Sequence, residues 1–424
     1  MANLFESLEQ QIPVWRGQLK DLAKNHGDKV ISEVTLAQAM GGARGVKSMV
    51  CDTSEVPPDQ GLLIRGTPLA ELTDVSAEDI FYLLCTGELP DDAARENLRA
   101  ELARRAVVPD YVWQVLEALP KNSHPMCMLD TAVLAMQGES KFVEAYNAGV
   151  SKDEFWKSML DDCLTLQARM STLAAAIYRM RFDKGPRIDP NPDYDYSHNF
   201  AHMLGIAEDN PEAADMIRLY LVLHCDHEGG NVSAHTCSLV GSALSDAFYS
   251  VSAGLNGLSG PLHGLANQEC LNWVLQVRDK FGGLPTEEQL REFAWETLNS
   301  GRVIPGYGHA VLRVTDPRFT AFKDFGMKHF GDDEIVQLVG RIFDVVPDVL
   351  KEHGKAKNPW PNVDAASGSL LHHYGMTEFP YYTVMFSVSR VMGMCSQLVW
   401  NRAMMAPIER PKSVTIKWLQ EFVK

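Results

Sequence analysis

Apolar residues recur at three- and four-residue spacing through most of the chain, a period that predicts helices almost throughout. Ser76-Ala77-Glu78-Asp79 is a cap signature before an apolar run, and Gly87 ends that run. From Asp91 to Ala106, Leu98 and Leu102 share one stripe against many charges, which predicts a surface helix. Asn210-Pro211 predicts a helix with Pro at its first position, carrying Ile217, Tyr220, Leu221 and His224 on one face. Thr286-Glu287-Glu288-Gln289 is a capping box, followed at helical spacing by Leu290, Phe293, Ala294 and Thr297 and stopped at Gly301. From Tyr381 to Met405 the pattern is apolar on most sides, which places that helix at the centre of the molecule. Strand patterns are sparse: Val46 to Thr53 and Leu62 to Arg65 predict one small hairpin near Pro57-Pro58. Strand and helix do not alternate, G-x-G-x-x-G is absent and no internal repeat is evident, so the fold class is all-α.

Glycine and proline cluster at Pro186 to Pro192, Gly254 to Gly264, Gly282 to Pro285, Gly301 to Gly308 and Gly354 to Pro361. The dense loops and higher charge between them divide the 424 residues into a large domain (1–264), a smaller inserted domain (265–372) and a return to the large domain (373–424). The net charge of −16 opposes nucleic acid and anionic membrane as partners, so an anionic ligand would need cations gathered in a cleft. The eight cysteines are scattered without C-x-x-C, and most sit in apolar helical patterns, as reduced buried thiols do. The Met1-Ala2-Asn3-Leu4-Phe5-Glu6 start reads as neither signal nor transit peptide, and Glu421 to Lys424 carries no peroxisomal signal. A cytoplasmic protein, or a mature mitochondrial form, is expected. The longest uncharged stretch, Ala247 to Gln268, is too broken by Gly, Ser, Asn, Pro and His to span a bilayer.

Four stretches are unlike scaffold: His224 to Asn231, Gly260 to Asn267, Pro305 to His309 leading into Arg313 and Asp316-Pro317-Arg318, and Pro359 to Asp364. Each sets His or Asp beside Gly or Pro, on loops or helix ends where sites are built. Pro261 suits a first helical turn, which puts His263 among unpaired N–H groups that disfavour imidazolium. A neutral imidazole there can donate to a carbonyl or an enolate; a packing or capping His fits the position equally. His309 follows two glycines that let backbone approach a ligand, and an ordinary loop His would look the same. Asp364 follows Trp360 and Pro361, where desolvation would raise its basicity; it also fits a turn or cap. Arg390 interrupts the buried helix and needs an anionic partner, from protein or ligand. Two functional classes follow: a metal-dependent hydrolase using His224, Asp226 and His227, although H-E-x-x-H is absent, or metal-free carbon–carbon chemistry on anionic acids. A non-catalytic scaffold would leave these framed residues without purpose.

At these stretches the sequence resembles citrate synthase, in the form found in mitochondria and some bacteria. The matching strings are Asp226 to Thr236, Gly260 to Glu269, Asn299 to Arg313, Lys355 to Asp364, and Glu409-Arg410-Pro411-Lys412-Ser413. The resemblance implies an all-α homodimer, with two domains per subunit, that condenses acetyl-CoA with oxaloacetate and water to citrate and CoA. It implies no metal and no permanently bound cofactor; acetyl-CoA and CoA come and go as substrate and product. The family's base falls on Asp364, its enol-stabilising His on His263 and its carbonyl-polarising His on His309. Its carboxylate-binding residues fall on His227, Arg318, Arg390 and Arg410, the last reaching the other subunit's site. CoA phosphates and adenine are implied to meet Arg44, Arg313, the loop around Gly306, and Lys152, where many members carry Arg. A thioester methyl is a very weak acid, so a carboxylate base needs a donor at the forming enolate, and Arg matches carboxylates bidentately. One departure concerns specificity. Many citrate synthases read D-A-H-S-G at the base, where this chain reads Asp364-Ala365-Ala366-Ser367-Gly368. Some 2-methylcitrate synthases carry a similar Ala, and the smaller side chain leaves room for propionyl-CoA.

Overall fold

A computed structural model describes residues 3–424 apart from 209 and 310. The regular structure of the described chain is helical apart from one three-stranded antiparallel sheet, Ser54–Glu55, Leu63–Ile64 and Thr67–Pro68, and an isolated bridge between Tyr307 and Pro361. The helix expected after Ser76 runs Ala77–Thr86, with Ser76 and Asp79 closing a capping box and Gly87 left-handed at φ 84°. The surface helix is Asp92–Arg105, capped by Asp91 and burying Ala94, Leu98 and Leu102. Thr286 and Gln289 close the second capping box, on Glu287–Asn299. Two expectations shift. Pro211 stands outside its helix, which begins only at Ala213, because the 211–212 turn hydrogen-bonds Ala213 N–H back to Asn210. The first strand of the hairpin is Ser54–Glu55 rather than Val46 to Thr53, and Thr67–Pro68 adds a third strand. The 46–52 segment pairs with nothing in the sheet, and most of it is exposed.

Two groups of helices carry the core. In the first, Phe155–Arg181 packs along Tyr382–Ala403, and Val232–Ser242 pairs with Ala247–Leu258 beside them. Tyr382–Ala403 buries all but Phe386 and Asn401 of its 22 residues, as an apolar-all-round helix must. Gly393 lets this helix approach the 224–227 turn; a Cβ there would stand 2.5 Å from the Cys225 carbonyl oxygen and 2.6 Å from Asp226 Oδ1. In the second group, Ala266–Phe281, Glu287–Asn299, Pro317–Phe330, Glu334–His353 and Asp364–His373 pack on one another. All eight cysteines are free; six are buried, Cys51 is half-buried and Cys127 is exposed.

Candidate functional site

Two loops of the second group are laced together. Gly308 N–H donates to the Trp360 carbonyl at 3.0 Å, Asn362 N–H to Gly306 at 2.9 Å, and the Asn362 side chain to Gly308 at 3.0 Å. Gly306, at φ 77°, makes this approach possible: a Cβ would lie 2.6 Å from Cys270 Sγ and 3.0 Å from Ala365 Cα. The lacing sets His309 near Asp364, which opens the Asp364–His373 helix. Arg318 enters from the first turn of Pro317–Phe330, where Asp316 is the N-cap. His227, His263 and Arg390 come from the first group. Six of the expected residues therefore meet between the two groups, three from each side.

The rings have defined proton positions. Val311 and Leu312 donate their backbone N–H groups to His309 Nδ1 at 3.0 and 2.9 Å. That nitrogen is an acceptor, so the neutral ring carries its proton on Nε2. Ser233 donates its N–H to His263 Nε2 at 3.3 Å, and Ser233 Oγ lies 3.0 Å away. His263 therefore carries its proton on Nδ1. Burial, reinforced by Arg390 for His263 and by Arg318 for His309, holds each imidazole down at about 4. The helix end that fixes His263 differs from the expected one. Residues 261–265 form turns before the Ala266–Phe281 helix, and the donor is the first turn of Val232–Ser242. His227 leaves Nε2 buried without a hydrogen-bond partner, and its ring centroid lies 5.5 Å from that of His309. Burial, then Arg318 and His309, push its pKa well below the ordinary value.

The charges are uneven. Arg318 is 4 % exposed and satisfied by Asp316, donating from Nη2 to Oδ2 at 2.6 Å and from Nε to Oδ1 at 3.0 Å. Arg390, 2 % exposed, finds only neutral acceptors among the described residues: the His224 carbonyl at 3.2 Å, Asn231 Oδ1 at 3.1 Å and Ser233 Oγ at 3.2 Å. Its guanidinium also lies 4.7 Å over the Phe386 ring. Burial lowers its pKa to about 10, against the pull of Asp226. Asp364 carries no side-chain hydrogen bond among the described residues, and burial raises its carboxyl to about 6 against Arg318. A half-buried base, two neutral donors and an under-compensated guanidinium suit an anionic substrate with an acidic carbon beside a carbonyl.

The metal alternative does not assemble. Asp226 is spent as an acceptor for Thr53 Oγ1 (2.6 Å), Ser54 Oγ (2.9 Å) and Gln397 Nε2 (2.9 Å). His224 donates from Nδ1 to the Tyr220 carbonyl at 3.0 Å, and no metal-binding group of three is present among the described residues. Four expected residues lie apart from the cluster. Arg44 and Lys152 are exposed and make no side-chain contact with it among the described residues. Arg410 is exposed too, although its neighbour Glu409 pairs with His235 Nε2 at 2.8 Å. Arg313 lies on the His309 loop, with Nη1 folded back on the Val311 and Leu312 carbonyls. The sequence reading took in Asn231, Ser233 and Asp316 within its marked stretches but gave none of them a role. All three stand at helix N-termini, and the Asn231 cap and the Asp316-Pro317 pair are local signals that could have marked two of them.

The model of the citrate synthase C-terminal domain family matches residues 42–412. The chain is 47% identical to citrate synthase 4, mitochondrial, of Arabidopsis thaliana, over all of this chain and 91% of that one. It is 48% identical to the mitochondrial citrate synthase of Saccharomyces cerevisiae (99% and 90% covered). A 2-methylcitrate synthase, mitochondrial, from Yarrowia lipolytica is 47% identical (99% and 92%). Among solved structures, the citrate synthase of Pyrobaculum aerophilum superposes with a TM-score of 0.79 at 27% identity, covering 92% of this chain and 95% of that one.

Proposed function

The chain belongs to the citrate synthase family, and from that premise we propose that it condenses acetyl-CoA with oxaloacetate and water to give citrate and CoA at the cluster between the helix groups. Asp364 takes a proton from the thioester methyl while His263 Nδ1–H donates to the enolate oxygen. The new carbanion attacks the keto carbon of oxaloacetate, whose oxygen receives a hydrogen bond and then the proton from His309 Nε2. Water then cleaves the citryl thioester and CoA leaves as the thiol. His227 Nε2, Arg318 and Arg390 hold the carboxylates of oxaloacetate. The carrying observation is the pair of opposite tautomers: each neutral ring has one nitrogen occupied by backbone N–H groups and presents the other as a donor. No permanently bound cofactor is needed; acetyl-CoA enters as substrate, with Arg44, Lys152, Gly306 and Arg313 as its phosphate and adenine contacts. The mutual packing of the helices within 265–372 supports reading that segment as a small domain whose closure excludes water from the thioester intermediate. Relatives named mitochondrial agree with the mature mitochondrial reading of the compartment.

The protein acts as a homodimer in this reading. Arg410, exposed in its own subunit, reaches a substrate carboxylate in the partner's cleft, and the apolar side chains that follow it are covered by the second copy. The deciding experiment is a side-by-side assay of acetyl-CoA and propionyl-CoA with oxaloacetate. A kcat/KM at least tenfold higher for acetyl-CoA is expected. The reverse order would make the chain a 2-methylcitrate synthase, the reading that Ala366, buried in the first turn of the Asp364 helix, favours.

A further inference from the structure

Away from the residues of this chemistry, none of which lines it, a cavity of about 170 Å³ opens between Phe155–Arg181, Asp92–Arg105, Tyr196–Leu204 and the 190–194 loop. Leu102, Ala168, Met203 and Tyr194 give it apolar and aromatic walls. Two polar residues among them are unfinished. Glu78, 2 % exposed, accepts the Tyr196 N–H on Oε1 at 2.9 Å, yet its Oε2 is buried with no partner. Thr172 Oγ1 is likewise buried and unpartnered. A buried carboxylate oxygen without a donor is expensive, and the space beside it is several times what one water occupies. Nearby charges are already engaged. Asp79 accepts from Arg95 at 2.5 Å, Asp195 caps the Tyr196–Leu204 helix through His198 N–H, and Arg99 lies 3.4 Å from Glu96.

We propose that this cavity is a second ligand site, for a small flat or short-chain apolar molecule bearing one amine or amidine cation, whose N–H groups supply Glu78 Oε2 with its missing donor. The apolar walls take the body of such a molecule, and the one unfinished carboxylate takes its head. Burial, with Asp195 and Asp79 adding, lifts the Glu78 carboxyl to about 7. A cation beside it reverses that shift, so binding near neutral pH expels part of a proton. Nothing in the condensation chemistry uses this cavity.

The test is calorimetric titration of the full-length protein with benzamidine, against acetophenone as a neutral molecule of the same shape without N–H groups. Benzamidine is expected to bind, with a heat that changes with the ionisation enthalpy of the buffer, and acetophenone at least tenfold more weakly. Glu78→Gln should weaken benzamidine at least tenfold. Because Glu78 also anchors Tyr196, Ala103→Trp, at an exposed helix position on the cavity rim, serves as a second variant; it should block binding and leave citrate formation unchanged. Equal binding of both molecules, retention of benzamidine by either folded variant, or no binding at millimolar benzamidine would overturn the proposal and leave a cavity that holds water.

Discussion

Around Arg390 the chain buries a guanidinium among neutral acceptors, whereas from Met405 onward it leaves large apolar side chains in water: Ile408, Ile416 and Phe422 are 63, 75 and 70 % exposed. The helix Ile416–Phe422 has no buried residue, and among the described residues Trp418 stacks only on Phe422, with ring centroids 4.9 Å apart. The first region has a buried charge with no hydrogen-bonded carboxylate among the described residues; the second has apolar surface without a cover. Both costs are ones a folded chain ordinarily avoids. Under the proposed function, an anionic substrate would relieve the first and a second copy of the chain the second. In that proposal Arg410 is where the two requirements join: it is exposed beside the apolar segment and carries a charge that a dicarboxylate would need.

The sharpest way to break the first half of this comparison is Asp364→Ala. Without the base, turnover should fall by about 10²–10⁴-fold, while oxaloacetate binding stays nearly unchanged because the cations are intact. Near-normal turnover in a folded variant would remove Asp364 from the chemistry.

Next in size is the join itself. Arg410→Ala should weaken oxaloacetate by about 2–5 kcal/mol, as for one side of a desolvated charge pair. The variant should still dimerise. Mixed with Asp364→Ala subunits it should recover partial activity, since one site of the hybrid dimer then holds both residues. Confirmed subunit exchange with no recovered activity would confine Arg410 to its own subunit and end the shared-site reading.

How far these regions were legible in the sequence follows from the range of the interactions that make them. The capping boxes at Ser76 and Thr286 are closed by residues three apart, and both formed as expected. The buried Tyr382–Ala403 helix was legible because its apolar surface runs all the way round. His263 was expected to owe its neutrality to the helix it precedes, yet the N–H it accepts comes from Ser233, thirty residues away, and local pattern cannot name such a partner. That Arg390 needs an anion followed from its place in a buried helix, but the sequence left open whether protein or ligand supplies it. That Arg318 differs, with Asp316 two residues away as its carboxylate, became visible only when the fold turned both side chains inward. The start of Ala213–His224 was misplaced because Asn210-Pro211 satisfies a helix-start pattern that the observed turn delays by two residues.

The apolar half is tested more gently. Trp418→Ala with Phe422→Ala removes two rings that a second copy would bury, each worth about 1.5–3 kcal/mol when fully covered. The dimer dissociation constant should rise at least tenfold in sedimentation, while the fold of the subunit, which buries neither ring, keeps its helical circular dichroism. An unchanged dissociation constant would place these rings outside the interface.

The smallest effect concerns the pH dependence of stability at Asp364. Asp364 stands at about 6 against an ordinary 3.8, so the folded chain disfavours its charged form. As pH rises from about 4 through about 6, the unfolded chain loses this proton before the folded one does, and stability falls across that window. Asparagine cannot ionise and escapes the penalty. Asp364→Asn should therefore unfold about 2 °C above wild type at pH 7.5, the shift that roughly 1 kcal/mol gives in a large domain. Below about pH 4 the two should coincide. His263 and His309 act in the opposite sense: their folded values near 4 lie below the ordinary 6.5, so they cost stability as pH falls through that interval. They are present in both proteins and cancel in the difference. A wild type more stable than the variant at pH 7.5 would mean that Asp364 is held by a partner rather than kept free to take a proton.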